Sequence, residues 1–554
     1  MKRHLIPIVL YLLLSYWAVR PLLSAGYFPM HDDTQVGRVV AMGKALRNGQ
    51  FPVRWVDDLG YGYGYPIFNF YGPLPYYVGG AIYALGATGV TAAKAMFLVG
   101  MLVSGLTMYL FISVAWGRLA GLVSAVLYLY APYHAVQAYV RGAVGEFWVF
   151  AFLPLLPTGF VLMERKRTRE TGVLVTGVGL TATILSHTLL GSITTLLVLS
   201  VVFGYWLIRA IGRHTDFSLM RAHLLALGVG FGLSAFFWLP ALSEMGFTNV
   251  NAQIGPTADF RDHFVCPVQL WNSAWGFGGS APGCIDGLSL KLGKIHILAA
   301  FLGLLGFARG LKKRRIHTFM TALAIVSVAG SVFLLLPVSR FVWERIPPLA
   351  YVQYPWRFLT FTLFGLSVAG SGILLNIRKR PLRAFVAMCI IFGVIAASAK
   401  LFQPQYTYLQ APRNFEDIRE LRFRVSKLSD EYLPKELKRP RTADEIAYDT
   451  VPAIPGSVVE SVEEKETYRK YTVHTDTTRT VVLNSAYFPG WQYFINGRNV
   501  RALIVEGRPT VTFPAGGSTL EMRFTDTPIR TIGNTMSFVA LLLVLVVYGK
   551  KTVA

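Results

Sequence analysis

The feature that most constrains this chain is the succession of long apolar blocks along it. About thirteen segments of roughly 15–23 mostly apolar residues lie near 5–23, 71–89, 93–115, 118–133, 146–163, 171–186, 188–210, 222–242, 294–309, 317–336, 357–375, 384–400 and 531–548. Each is near the length that a bilayer core demands. No water is present there to satisfy backbone N–H and C=O groups, so such segments must be helices. The chain of 554 residues is 53% hydrophobic and 15% charged, with mean hydropathy +0.46, too apolar for an ordinary soluble protein. The first segment follows Lys2 and Arg3 as a signal peptide would. It lacks a small-residue cleavage site and is read as a span.

A formal charge of +23 raises the question of nucleic acid, and its distribution argues against that partner. Arg165, Lys166, Arg167 and Arg169 form one cluster, Lys312 to Arg315 a second, and Arg378, Lys379, Arg380 and Arg383 a third. Lys550 and Lys551 lie near the end. Each cluster sits beside a span, as the positive-inside rule expects of the cytoplasmic side, where it also meets anionic lipid. A multi-pass protein of the cell (plasma) membrane follows, with both termini cytoplasmic. The connections 24–70, 243–293, 337–356 and 402–530 are then external. An even number of crossings, about twelve, requires one early segment not to cross. Arg118 prefers the cytoplasm, which points to 71–89.

Three domains are expected: a membrane domain over 1–400, an extracytoplasmic linker and β-sandwich over 401–530, and a final span with a basic tail over 531–554. Residues 402–450 are polar, with helix-like runs such as "NFEDIRELRFRVSKL". From Ser457 short alternating stretches follow, and Asn496-Gly497 between two of them is a hairpin signal. Cys389 lies in a span. Cys266 and Cys284 share the 243–293 connection. They form either a disulfide contributing roughly 3 kcal/mol or two unpaired buried thiols.

The first external connection holds the densest chemistry. Asp32 and Asp33 stand a few residues past the first span, Arg38 follows at helical spacing, and "PVRW" supplies Arg54 and Trp55. "GYGYGYP", with Tyr63, reads as a fixed aromatic loop rather than a helix. A carboxylate near the bilayer is costly without partners or a role. It can serve as general base toward a hydroxyl or as a metal ligand, while arginines at the same level hold a phosphate bidentately. The alternative is a helix capped by Asp32, with Asp33 adding a favourable first-turn charge.

The stretch "HDDTQVGRV…NGQFPVRWVDDLGYGYGYPIFNFYGPLPYYVG" resembles the first-loop signature of GT-C-type polytopic membrane proteins. These carry the label 6-pyruvoyl-tetrahydropterin synthase-related membrane protein and are similar to YfhO-like glycosyltransferases. "APYHAVQAYVRGAVGE" with Arg141 and Glu146, "VQYPWRFL" with Gln353, Trp356 and Arg357, and "SAYFPGWQYFINGR" fit the same pattern. The resemblance implies a GT-C-like fold, a polyprenyl-phosphate sugar donor, and a catalytic base or metal ligand at Asp33 or Asp32. A divalent ion held by His31, Asp32 and Asp33 is the cofactor alternative to metal-free chemistry. Arg38, Arg54, Tyr63, Arg141, Glu146, His187, Gln353, Trp356 and Arg357 are the expected substrate-binding residues, all on the external side of this topology.

Three functions compete. The first is inverting glycosyl transfer from a polyprenyl-phosphate donor to a glycan, lipid or protein hydroxyl. The second is transport or flipping of lipid-linked glycans, disfavoured because most spans lack acids. The third is a non-catalytic glycan-binding scaffold, against which the His31-Asp32-Asp33 run argues.

Overall fold

A computed structural model describes residues 2–213, 216–250, 259–310 and 315–549. Eight described helices are long and apolar enough to cross a membrane: Gly89–Trp116, Val144–Met163, Thr188–Ile211, Phe217–Phe247, Thr318–Leu335, Pro355–Asn376, Arg380–Leu401 and Pro528–Tyr548. Two bent pairs, His4–Leu14 with Tyr16–Leu23 and Arg118–Leu129 with Pro132–Arg141, turn through 59° and 51°. The second bend falls where Pro132 cannot donate the backbone hydrogen bond that a continuous helix needs. The helices Arg169–Ser186 and Lys294–Gly310 are shorter or less apolar, and segment 71–89 supplies only Leu74–Ala84, 11 residues, about half of a crossing. Of the basic clusters, Lys312, Lys313, Arg314, Lys550 and Lys551 lie outside the described residues.

One reading of the first connection is corrected. The helix of the first connection is Gln35–Arg47, with Thr34 as N-cap and no acid in its first turn. Neither aspartate therefore caps it. The run "NFEDIRELRFRVSKL" is helical without a break over 418–428, with a π-helical turn at Glu420–Val425 leading into Ser426–Leu428.

The C-terminal part forms eight strands: β1 Ser457–Lys465, β2 Tyr468–Thr475, β3 Arg479–Val482, β4 Trp491–Ile495, β5 Arg498–Val500, β6 Leu503–Val505, β7 Arg508–Phe513 and β8 Gly516–Phe524. They build antiparallel sheets in the orders β1-β2-β8-β4-β5 and β3-β7-β6. Tyr471, Val473, Trp491, Tyr493, Leu520 and Met522 are buried at alternate positions of their strands, the period-2 pattern of a half-buried sheet. Asn496 and Gly497 both have positive φ, +50° and +77°, as the two-residue turn joining β4 to β5 requires.

The first connection is packed between the helices and these sheets. Trp55 is fully buried, 5.5 Å edge-on from Trp491 and 6.3 Å from Phe488. Gly64 (φ +90°) lies so close to the Trp55 ring that a Cβ there would sit 2.3 Å from it, which explains one glycine of "GYGYGYP". The final helix is tied in by a buried ion pair. Arg530 donates from Nε and Nη2 to Glu244 Oε2 at 3.0 and 2.9 Å, and Glu244 also accepts from Thr527 and Asn69. Arg530 further donates to the Pro489 carbonyl, so the "PGW" stretch anchors the last helix.

Candidate active site

A cavity of about 790 Å³ lies where the first connection, the turn before Val144, the connection at His187 and the "QYPWR" stretch meet. Among its lining residues are His31, Asp32, Arg38, Arg141, His187, Gln353, Trp356 and Arg357. Local backbone accounts for several of these placements. Val136–Arg141 is a π-helix, whose wider turn sets the last residue, Arg141, out of α-helical register before Gly142 ends it at φ +66°. Gln353 has φ +62°, uncommon for a residue with a side chain, and separates two tight helical turns that begin with proline. His187 is the single residue between the helices Arg169–Ser186 and Thr188–Ile211. Its Nδ1 accepts the backbone N–H groups of Leu189 and Leu190. Burial, opposed by Glu146 and aided by Arg357 and Arg141, depresses His187 to about 4, so the ring is neutral at pH 7.

Behind the cavity sits Glu146, 1% exposed. Arg141 donates to it from Nη1 and Nη2 at 2.7 and 3.0 Å, and Tyr133 donates its hydroxyl at 2.9 Å. Arg357 Nε lies 2.7 Å from the other oxygen, off the axis of a hydrogen bond, and Arg357 also donates to the Val352 carbonyl. Trp356 packs 4.4 Å from the Arg141 guanidinium and 4.8 Å from the Tyr354 ring. Two guanidinium groups thus share one carboxylate, which leaves about one unit of positive charge within reach of the Asp32 carboxylate in the same cavity. Guanidinium groups in such a pair have the planar donor geometry that suits a phosphate.

The two aspartates part company. Asp32 is exposed into the cavity, and its N–H donates to the Arg141 carbonyl at 2.8 Å. Asp33 is not among the lining residues. It pairs with Arg413 and accepts from the Tyr27 hydroxyl. Burial raises its carboxyl, with Tyr27 and Arg413 opposing. His31 lines the cavity, but its Nε2 meets the Phe277 carbonyl at 2.8 Å. With that nitrogen and the Asp33 carboxylate engaged elsewhere, the three residues do not fit a shared ion, and no cluster among the described residues does.

Arg54 and Tyr63 are not brought to the cavity. Arg54 donates to Asn69, Asn534 and the Phe236 carbonyl, which joins the first connection to two helices. Tyr63 accepts the Ala486 N–H at its carbonyl and lies 5.7 Å from the Arg508 guanidinium, on the sheet side. Cys266 and Cys284 form a disulfide with Cα atoms 5.5 Å apart, bracing the connection that brings His263, Gly279 and Ser280 to the cavity rim. Ser280 accepts the Trp356 indole N–H at 3.1 Å.

Sequence reasoning missed Tyr71, His263, Tyr354, Ser429, Glu431 and Tyr432, which also line the cavity. Arg38 is buried, donates to Tyr76 and Ser429, and stands 3.8 Å from Glu431. The adjacent acids of "SDEYLP" were the available signal, hidden in a charged stretch that reads as solvated linker.

A family model described as "6-pyruvoyl-tetrahydropterin synthase related domain; membrane protein" matches residues 68–406. An uncharacterised protein of Lactococcus lactis subsp. cremoris (strain MG1363) is 25% identical over 286 residues, 49% of this chain and 44% of that protein. Among solved structures, the chain is similar to the archaeal oligosaccharyltransferase AglB of Archaeoglobus fulgidus in complex with an inhibitory peptide and a dolichol-phosphate. That match has 14% identity and TM-score 0.43, over 74% of this chain and 56% of that one. It is also similar to the arabinofuranosyltransferase AftD from Mycobacteria (16%, TM-score 0.44, 74% and 28%). A third is ArnT from Cupriavidus metallidurans bound to undecaprenyl phosphate (13%, TM-score 0.31, 73% and 89%). The chain spans less than half of the Lactococcus relative, and just over half of AglB.

Proposed function

Taking as premise that the chain belongs to the 6-pyruvoyl-tetrahydropterin synthase-related membrane proteins, we propose that it is a membrane glycosyltransferase using a polyprenyl-phosphate-linked sugar. The observation that carries this reading is the pair Arg141 and Arg357 on the single carboxylate of Glu146, beside the free-standing carboxylate of Asp32 in one cavity. An acceptor hydroxyl gives its proton to Asp32 as its oxygen attacks the anomeric carbon. The bond from that carbon to the phosphate oxygen breaks, and polyprenyl phosphate leaves with the electron pair. Arg141 and Arg357 face the charge that grows on the departing phosphate, where fixed cations stabilise the transition state more than the ground state. A single displacement inverts the anomeric centre. Asp32 takes the role of base, because Asp33 is spent on Arg413.

In this reading the cavity and the sheets are extracytoplasmic and both termini cytoplasmic. The disulfide supports that side, since such bonds persist in oxidising surroundings. The test is to incubate purified protein with a panel of polyprenyl-phosphate sugars and follow release of polyprenyl phosphate. Release by the unmodified protein and not by Asp32→Asn is expected. Failure of every donor to bind or be consumed overturns the reading.

A further inference from the structure

The stretch Leu428–Tyr432 belongs to none of the motifs of the first connection, yet it forms a wall of the cavity. It is held firmly. The Tyr432 N–H donates to the Tyr65 hydroxyl at 3.1 Å, the Tyr432 ring stacks on Phe70 at 5.4 Å, and the next carbonyl, Leu433, accepts from the Asn249 N–H at 2.9 Å. The Ser429 hydroxyl accepts from Arg38 and donates to Glu431 Oε2 at 3.0 Å. Arg38 is itself fixed by Tyr76, which donates to Gln35, whose amide donates to the Gly142 carbonyl beside Arg141. This chain of hydrogen bonds holds Glu431 at a set place relative to the arginine pair.

The two sides of the cavity differ in charge. Arg141 and Arg357 exceed Glu146 by one unit, whereas Arg38 and Glu431 cancel, and the Asp32 carboxylate stands within electrostatic reach of both sides, of Arg141 on one and of Tyr71 and Tyr76 beside Arg38 on the other. On the Glu431 side an anionic ligand meets the carboxylate and a cationic one meets Arg38. A neutral group rich in hydroxyls avoids both, and its O–H donors make charge-assisted bonds to the carboxylate. We propose that Glu431, with Ser429, binds the acceptor, and that the acceptor group is a neutral saccharide whose hydroxyls donate to Glu431. This rests on the transfer reading above and adds the acceptor class to it.

The experiment measures transfer against acceptor concentration for neutral trisaccharides, and separately the binding of polyprenyl phosphate by tryptophan fluorescence. Glu431→Gln should raise the acceptor KM by about 10- to 100-fold, the worth of hydrogen bonds to a charged group, and leave polyprenyl phosphate binding within about twofold. Ser429→Ala, a smaller change, should raise KM several-fold. An unchanged KM in both variants overturns the proposal, as does equal loss of acceptor and polyprenyl phosphate binding, which marks a structural role. If the unmodified protein binds no polyprenyl phosphate, the donor reading is what fails. Direct trisaccharide binding then decides the acceptor site: weaker binding by both variants upholds it, and equal binding overturns it.

Discussion

Arg413 holds Asp33 from 380 residues further along the chain, and that pairing turns Asp33 away from the cavity that its neighbour Asp32 enters. The two substitutions should therefore fail differently. Asp32→Asn should lower sugar transfer by roughly 100-fold or more with the unfolding temperature unchanged, the cost of removing a general base at constant shape. Asp33→Asn should cost about 1–3 kcal/mol of stability, because Arg413 loses a partner, while transfer per folded molecule stays near normal. Transfer assays and thermal unfolding on both proteins separate the roles. A full loss of transfer in a stable Asp33→Asn protein would reverse the assignment.

Glu146 sits between two arginines and is nearly inaccessible. Replacing it with Gln leaves two buried guanidinium groups without their anion, a change of the class that costs roughly 3–5 kcal/mol. Arg357→Lys keeps the charge but loses the planar fork. It should fold, and should bind polyprenyl phosphate roughly tenfold more weakly. Fluorescence titration of both variants against folded fraction checks this. Tight phosphate binding by Arg357→Lys would show that charge alone suffices.

Much of this arrangement was legible because charges are rare beside apolar spans. Asp32, Arg141, Arg357 and His187 stand out against their neighbours, and the Asn496-Gly497 turn has a local cause. What stayed hidden depends on distant partners. Nothing near Asp33 reveals Arg413, and nothing near Arg54 reveals Asn534, 480 positions away, so a structural arginine read as a substrate contact. Glu431 was hidden for the opposite reason: acids in a polar stretch look solvated until packing buries one.

The orientation is a separate expectation, resting on basic clusters and the disulfide. In a Cys389→Ser background, single cysteines at Arg167 and Arg380 should react with an impermeant maleimide only after the membrane is opened. A cysteine at Asn496, in the β4–β5 turn, should react in intact cells. Labelling of Arg167 and Asn496 positions from the same side would refute the arrangement.

His187 gives the protein a pH dependence with a definite sign. In the folded chain its Nδ1 is an acceptor for two backbone N–H groups, and burial holds its pKa near 4, below the ordinary value of about 6.5. Between these values the unfolded chain binds a proton that the folded chain does not. This contribution to stability is therefore complete above pH 6.5 and is lost progressively as the pH falls toward 4. Asn at this position can still accept at the helix N-terminus and does not titrate. Unfolding temperatures of the purified protein should fall between pH 7 and pH 5, and His187→Asn should fall less over the same range. Parallel curves for the two proteins would place the acid sensitivity elsewhere, with the buried carboxylates as the next groups to test.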